Sequence, residues 1–442
     1  MSKGQLSDTV VWPFTPVARN LDIVGSDGAY LIDTDGRRIL DAAGGAIVMN
    51  IGHGRESVAR AVYEATKSTT YVVPPWLTPQ RRALLERLRR DWLPPRFDHI
   101  HLTCGGSEGV ETAMKIAIQH HAANGAPQRN KIIGRTVSYH GTTLATTAVG
   151  GHTARKKGLA HVLDAYPSVP TPYPLRCPLG PHHRDAGRYY VDALARLIEN
   201  EGAGSIAALL AEPINGSSGG AIVPPEDYWE GVRALCNAHG ILLILDEVMT
   251  GFGRTGKPFG FQHWGIEPDI FVSGKGLAGG YAPITGVFAT AAVADPIAAA
   301  GMNVMFHTFG AHPAACAAAN EVLRIMTDER LLQGVAATGA ALQKRLNEVL
   351  GNHPNVAEVR GRGLLQAIEI VKDRASLERF DPAANITNRV VGAALKRGVF
   401  FYGGGTGDIR DIVCMGPPFT IGETEIELIV RVLSESLDDV LG

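Results

Sequence analysis

Cysteine is scarce in this chain. The five residues (Cys104, Cys177, Cys236, Cys316 and Cys414) are scattered, odd in number and without a C-x-x-C pair. That pattern argues against a disulfide framework or a cysteine zinc site and favours a reducing, cytoplasmic setting. An excess of one charge is also missing: 42 Lys and Arg face 44 Asp and Glu, for a net charge of −2. Neither nucleic acid nor an acidic membrane surface is therefore an expected partner. No stretch approaches the ~18 consecutive apolar residues of a membrane span. The first twenty residues hold Trp12, Pro13 and Pro16 but no apolar core of a signal peptide. Small molecules and protein subunits are the partners left.

What the chain has is length and glycine. With 442 residues and 52 glycines, it exceeds the size at which a single core stops growing, roughly 250–300 residues, so two domains are expected. The most informative stretch is 241–281, ILLILDEVMTGFGRTGKPFGFQHWGIEPDIFVSGKGLAGGY. Its run 241–245 is too short and too aliphatic for an amphipathic surface helix, so it predicts a buried strand delivering Asp246 and Glu247 to its carboxyl end. A second run, DIFVS at 269–273, repeats the plan and delivers Lys275. In a parallel α/β sheet the carboxyl ends of strands open onto one crevice, so this acid and this lysine can face each other across a ligand.

Other segments fit the same scheme. After an N-terminal arm, Asp27-Gly28 and Asp35-Gly36 predict turns of an antiparallel meander. Gly44, Gly45, Gly52 and Gly54 then suggest either a close backbone approach or tightly packed loops. A short strand ending in Cys104-Gly105-Gly106-Ser107 is followed by helical spacing of Val110, Ala113, Met114 and Ala117, with Ser107 where an N-cap belongs. Backbone N–H groups at such a helix start suit a phosphate, although taken alone these residues read more often as a capped helix after a tight turn. The run 131–138 predicts a strand leading to Tyr139 and His140, and 205–211 predicts another, delivering Glu212 and a glycine-rich loop. Residues 150–190 are rich in proline, and the pair His182-His183 lacks a third ligand at useful spacing, so a solvated loop is expected there and no metal. From 283 onward the pattern gives a further strand, a loop at 305–313, two long helices, and a C-terminal third of strands, glycine turns and helices.

Together these residues resemble the class III aminotransferases, which use pyridoxal phosphate on the fold type I scaffold. The resemblance spans nearly the whole chain and is most specific in LDEVMTGFGRTGKPFGFQ and PDIFVSGKGLAGGYAPI. It implies an α/β protein with a large, mostly parallel sheet domain and a smaller α+β domain built from both termini. The implied division is an arm and part of the small domain at 1–60, the cofactor domain at 61–325, and the C-terminal small domain at 326–442. Lys275 then corresponds to the lysine whose amine condenses with the cofactor aldehyde and later moves the substrate α-proton. Asp246 corresponds to the carboxylate that keeps the pyridine nitrogen protonated. Gly106 and Ser107 match the phosphate cup, Tyr139 and His140 one ring face, and Val248 the other. Glu212 matches a residue supporting the ring environment, and Thr308 one that reaches the phosphate of the neighbouring subunit, which implies a homodimer with shared sites and leaves tetramers open.

For substrate the resemblance points to Ile47, Trp76, Ser217, Arg360 and the partner subunit's His307 region. Arg360 matches an arginine that binds or gates substrate carboxylate in several relatives. Ser217 stands where ornithine and 4-aminobutyrate aminotransferases carry a masking glutamate, and Ala46 where a decarboxylating relative carries glutamine. The mobile arginine that other relatives carry near Tyr402 is not preserved, although Arg410 is close. The expected activity is transfer of an amino group from an ω-amino acid or amine to pyruvate or another small 2-oxo acid. A lyase or decarboxylase on the same cofactor is the alternative, and a non-catalytic cofactor-binding protein a more distant one.

Overall fold

The computed structural model describes residues 21–302 and 306–442. The N-terminal arm lies outside these residues, as does Met305 at the start of the predicted loop. A seven-stranded sheet forms the centre, in the order His99–Thr103, Thr285–Ala289, Ile270–Ser273, Leu242–Asp246, Ile206–Ala211, Lys131–Arg135 and Ser168–Val169. All are parallel except Thr285–Ala289, which runs against both of its neighbours. The fold is the mixed α/β, mostly parallel architecture expected of fold type I.

Side chains explain why this sheet is central. Successive residues point to opposite faces of a strand, and here both faces are apolar. Leu209, Leu243, Leu245, Phe271 and Phe288 enter one core with Trp229 and Phe259. Their chain neighbours Leu210, Ile244, Val272 and Val287 enter the other, against Val110, Ala113 and Ala117 of the helix Gly106–Ala123. Helices on both faces remove the sheet from water, which is the usual condition for parallel strands.

Two smaller sheets flank it. The meander forms as the Asp-Gly turns predict: Ile23–Asp27, Tyr30–Asp33 and Arg38–Asp41 are antiparallel, and Gly28 adopts φ +57° in the tight first turn. Arg38–Asp41 then pairs in parallel with Val399–Phe400, placing Leu40 opposite Val399. The other sheet has the order Val356–Arg362, Leu365–Ile370, Ile409–Met415 and Tyr402–Thr406. Gly44 settles the question of the early glycines, since a Cβ there would lie 2.4 Å from the Gly416 carbonyl oxygen: the close approach is one loop against another. The proline-rich segment departs from the expected solvated loop. His182 is exposed, but Thr171, Tyr173, Leu175 and Cys177 are buried, because this segment lies beside the last sheet.

Candidate active site

The carboxyl ends of the central strands open onto a cavity of about 500 Å³. Leu242–Asp246 and Ile270–Ser273 are adjacent and parallel, with Asp246 in register with Val272. The chain leaving Ser273 therefore turns beside Asp246, and Lys275 joins it in the cavity wall. Lys275 holds φ +41°, an uncommon conformation for a residue with a Cβ. Gly274 before it is required sterically, because a Cβ there would meet Thr285 Oγ1 at 2.4 Å.

Burial is the main influence on Lys275. It lowers the ammonium pKa to about 8, outweighing the attraction of Asp246 and Glu212, and Arg254 adds to the lowering. Asp246 is 6% exposed. Its Oδ2 lies 2.8 Å from His140 Nδ1, and the Val248 amide donates to Oδ1 at 3.0 Å. His140 Nε2, at the far side of the ring, is buried without a partner among the described residues. Nδ1 thus donates to the carboxylate, and Nε2 faces away from it.

Glu212 follows the strand Ile206–Ala211. Its carboxylate accepts the Gly216 amide at 2.8 Å and Asn215 Nδ2 at 3.0 Å. Burial nevertheless raises its pKa to about 7, with nearby Asp246 adding to the rise and His140 opposing it. The neighbouring Glu247 does not line the cavity. It accepts the amides of Gly260 and Phe261 and the Thr250 hydroxyl, which marks it as a carboxylate holding a loop.

The helix Gly106–Ala123 presents its N-terminus to the same cavity, with Gly105, Gly106 and Ser107 in the wall. Its N-cap is Gly105, one correction to the sequence reading. Ser107 lies inside the first turn, where its Oγ accepts the Thr142 amide at 3.0 Å and ties the helix start to the loop after His140. Gly141 makes this possible: at φ +141° its Cβ would lie 2.6 Å from Ser107 Oγ. Tyr139 and Val248 also line the cavity, and Arg155 sits over the Tyr139 ring with Cζ 4.7 Å from the centroid.

Gly106, Ser107, Tyr139, His140, Glu212, Asp246, Val248 and Lys275 are thus brought together, while four expected residues are not among those lining the cavity. Thr308 is exposed in a surface turn. Trp76 is 67% exposed, and Ile47 is buried against Gly416 while its neighbour Val48 faces the cavity. Arg360 is 5% exposed and already engaged. Its Nε donates to the Gly220 carbonyl at 2.6 Å, Nη2 to Gly219 at 2.7 Å, and Nη1 to Tyr173 Oη at 2.6 Å and Glu369 Oε2 at 3.0 Å. Sequence reasoning did not name Val48, Met249, Ala282 or Ile284, apolar wall residues that carry no chemical signature of their own.

The chain resembles known proteins along nearly its whole length. The family model for aminotransferase class-III matches residues 15–437. The chain is 36% identical to the uncharacterized aminotransferase YodT of Bacillus subtilis, over 93% of each chain. It is 32% identical to the putrescine–pyruvate aminotransferase of Pseudomonas aeruginosa, over 94% of this chain and 90% of the relative. Among solved structures, an amine transaminase from an uncultivated Pseudomonas species in its PLP-bound form superposes with a TM-score of 0.92 at 34% identity, covering 99% of this chain and 100% of that one.

Proposed function

Because the chain belongs to the class III aminotransferases, enzymes dependent on pyridoxal phosphate, we propose that it transfers an amino group from an amine or ω-amino acid to pyruvate or another small 2-oxo acid. The observation carrying this reading is the cavity in which a buried lysine, a buried carboxylate bound to histidine, and an open helix N-terminus converge. The substrate class draws support from the likeness to a putrescine–pyruvate aminotransferase and an amine transaminase.

The residues fit the cofactor. The N–H groups and positive dipole end at Gly106 and Ser107 suit its phosphate, Tyr139 and Val248 offer surfaces for its ring, and Asp246 offers a carboxylate for its pyridinium nitrogen. When bound, pyridoxal phosphate supplies an electron sink for the carbanion left by loss of the α-proton. Lys275, held near pKa 8 by burial, is part neutral amine at neutral pH, so its Nζ can take up a proton and return it. His140 holds the Asp246 carboxylate in one orientation and stays buried with it. Glu212, near pKa 7, can hold or release a proton at the cavity edge as the reaction changes local charge.

The reading extends to assembly and location. Tyr63, Tyr71, Trp76, Leu77, Phe306 and Phe309 are exposed, and Tyr71 meets Phe309 edge-on with ring centroids 6.1 Å apart. Apolar exposure of this kind marks an interaction surface. It supports a homodimer in which Thr308, beside these aromatics, reaches the neighbouring subunit's phosphate. Five unpaired thiols support a reducing cytoplasmic setting, and among the described residues no helix is long and apolar enough to cross a membrane.

The test is a panel of amines and ω-amino acids with pyruvate, following alanine, ammonia and carbon dioxide together. Alanine formed in step with donor consumption supports the proposal. Ammonia or carbon dioxide without amino acid product would replace it with a lyase or decarboxylase. Sedimentation equilibrium reads the dimer.

A further inference from the structure

The turn 215–220 carries the two groups that hold Glu212, the Gly216 amide and Asn215 Nδ2, together with Ser217 of the cavity wall. Its internal hydrogen bonds are few: Gly219, Gly220 and Ala221 all donate to the Gly216 carbonyl. Asn215 is also tied to Ile222 through its amide at 2.9 Å and to the Val137 carbonyl through Nδ2 at 3.0 Å, and the restraints on 217–220 come from the C-terminal sheet. The Gly405 amide donates to the Ser217 carbonyl at 2.8 Å, Ile412 packs on Gly220, and Arg360 donates from Nε and Nη2 to the carbonyls of Gly220 and Gly219.

The opposite edge of the Arg360 guanidinium is anchored as firmly. Nη1 serves Tyr173 Oη, Glu369 and Glu358, and Glu369 is itself held by Arg176 at 2.8 Å. A guanidinium has five N–H donors in a fixed fork. Nε, both protons of Nη1 and one of Nη2 are taken here, leaving one, whereas bidentate capture of a carboxylate needs two convergent donors. Arg360 in this arrangement is built to bind protein.

We infer that Arg360 is a positioning residue: it clamps the turn 215–220 from the C-terminal sheet and thereby fixes Asn215 and Gly216 on the Glu212 carboxylate in the cavity. This rests on the transaminase reading only where turnover is measured, since the clamp itself is a property of the fold. The groups facing Glu212 are His140, Asp246, Arg135 and Lys275. The Gly216 donor favours the ionised carboxylate, so releasing the turn raises the pH at which Glu212 loses its proton.

The experiment uses the full-length holoenzyme and three variants. Arg360→Met paired with Glu369→Gln removes the clamp without leaving a buried carboxylate short of its partner. Gly219→Ala loosens the same turn from its other side, because the new Cβ would meet Asn215 Oδ1 at 2.0 Å. Arg360→Lys keeps the charge and loses the fork. The readouts are the pH midpoint of the Glu212 carboxyl, taken from the infrared difference spectrum against Glu212→Gln, and the split between kcat and KM for pyruvate and for an uncharged aldehyde acceptor. Expected are an upward midpoint shift of about 0.5–1 pH unit in both the double variant and Gly219→Ala, a kcat lower by about tenfold with acceptor KM nearly unchanged, and an intermediate result for Arg360→Lys. A KM increase confined to pyruvate, with the midpoint unmoved, would overturn the inference and return Arg360 to substrate binding. Folded variants with unchanged midpoint and kcat would overturn it as well. If the wild-type protein performed no transamination, the midpoint would still report the clamp, so the two readings fail separately.

Discussion

Asp246 Oδ2 lies 2.8 Å from His140 Nδ1, and both side chains are almost wholly withdrawn from water. The contact fixes the carboxylate and leaves its charge to act on whatever else enters the cavity. Asp246→Asn preserves shape and one hydrogen-bond acceptor while removing that charge. Its kcat is expected to fall by roughly 10²–10³-fold, the loss typical of a preorganised electrostatic group, with little change in Tm. Steady-state kinetics beside a thermal melt check both halves.

Lys275 gives a prediction in pH. Burial disfavours its ammonium form and brings the pKa down to about 8, so the reactive neutral amine accumulates as pH rises through that value. Borohydride trapping of pyridoxal phosphate on apoprotein should increase with an inflection near pH 8 and map to the Lys275 peptide. Lys275→Ala should lose the label and lower turnover by at least about 10²–10⁴-fold, the share of a general acid–base group. Labelling spread over other lysines would count against the assignment.

Glu247 links the loop at Gly260 to stability. Its pKa rises from 4.5 to about 7, chiefly through burial and despite the Thr250, Gly260 and Phe261 donors. A carboxyl whose folded pKa lies above its unfolded one binds a proton on folding. It contributes most below the unfolded value, and that contribution fades as pH climbs through about 7. Between pH 5 and 7.5 the wild-type Tm should therefore decline more steeply than that of Glu247→Gln, measured by differential scanning calorimetry of the apoproteins.

Gly109 stands one turn into the helix that begins at the cavity. A Cβ there would lie 2.8 Å from Thr285 Cγ2 and 2.9 Å from Val272 Cγ1. Gly109→Ala should cost about 1–3 kcal/mol by overpacking and, by shifting the helix start, weaken cofactor binding. Isothermal titration of apoprotein with pyridoxal phosphate measures the second effect.

The strands carrying Asp246 and Lys275 were legible because short aliphatic runs ending in charged residues have few other uses in a fold of this size. Their boundaries moved by one residue, and Asp269 proved to stand before its strand, accepting the Leu243 amide and Arg233. The direction of Thr285–Ala289 was not legible, since an apolar run of five residues says nothing about which way it lies. Ile47 and Val48 differ only in which way a backbone at φ +58° turns them, a matter decided by Gly416 hundreds of residues away. Arg360 is the sharpest case: its sequence neighbours advertise a strand, while its partners Gly220, Gly219 and Tyr173 come from 140, 141 and 187 positions away.

The parallel pairing of Arg38–Asp41 with Val399–Phe400 sets an order of events. During synthesis the meander leaves the ribosome early, but the strand that completes its sheet is made only after both long helices and the hairpin at 356–370. Until then Leu40 lacks the neighbour that stands opposite it in the finished sheet. A nascent chain stalled before residue 399 should therefore expose the meander to protease while the central sheet is already formed.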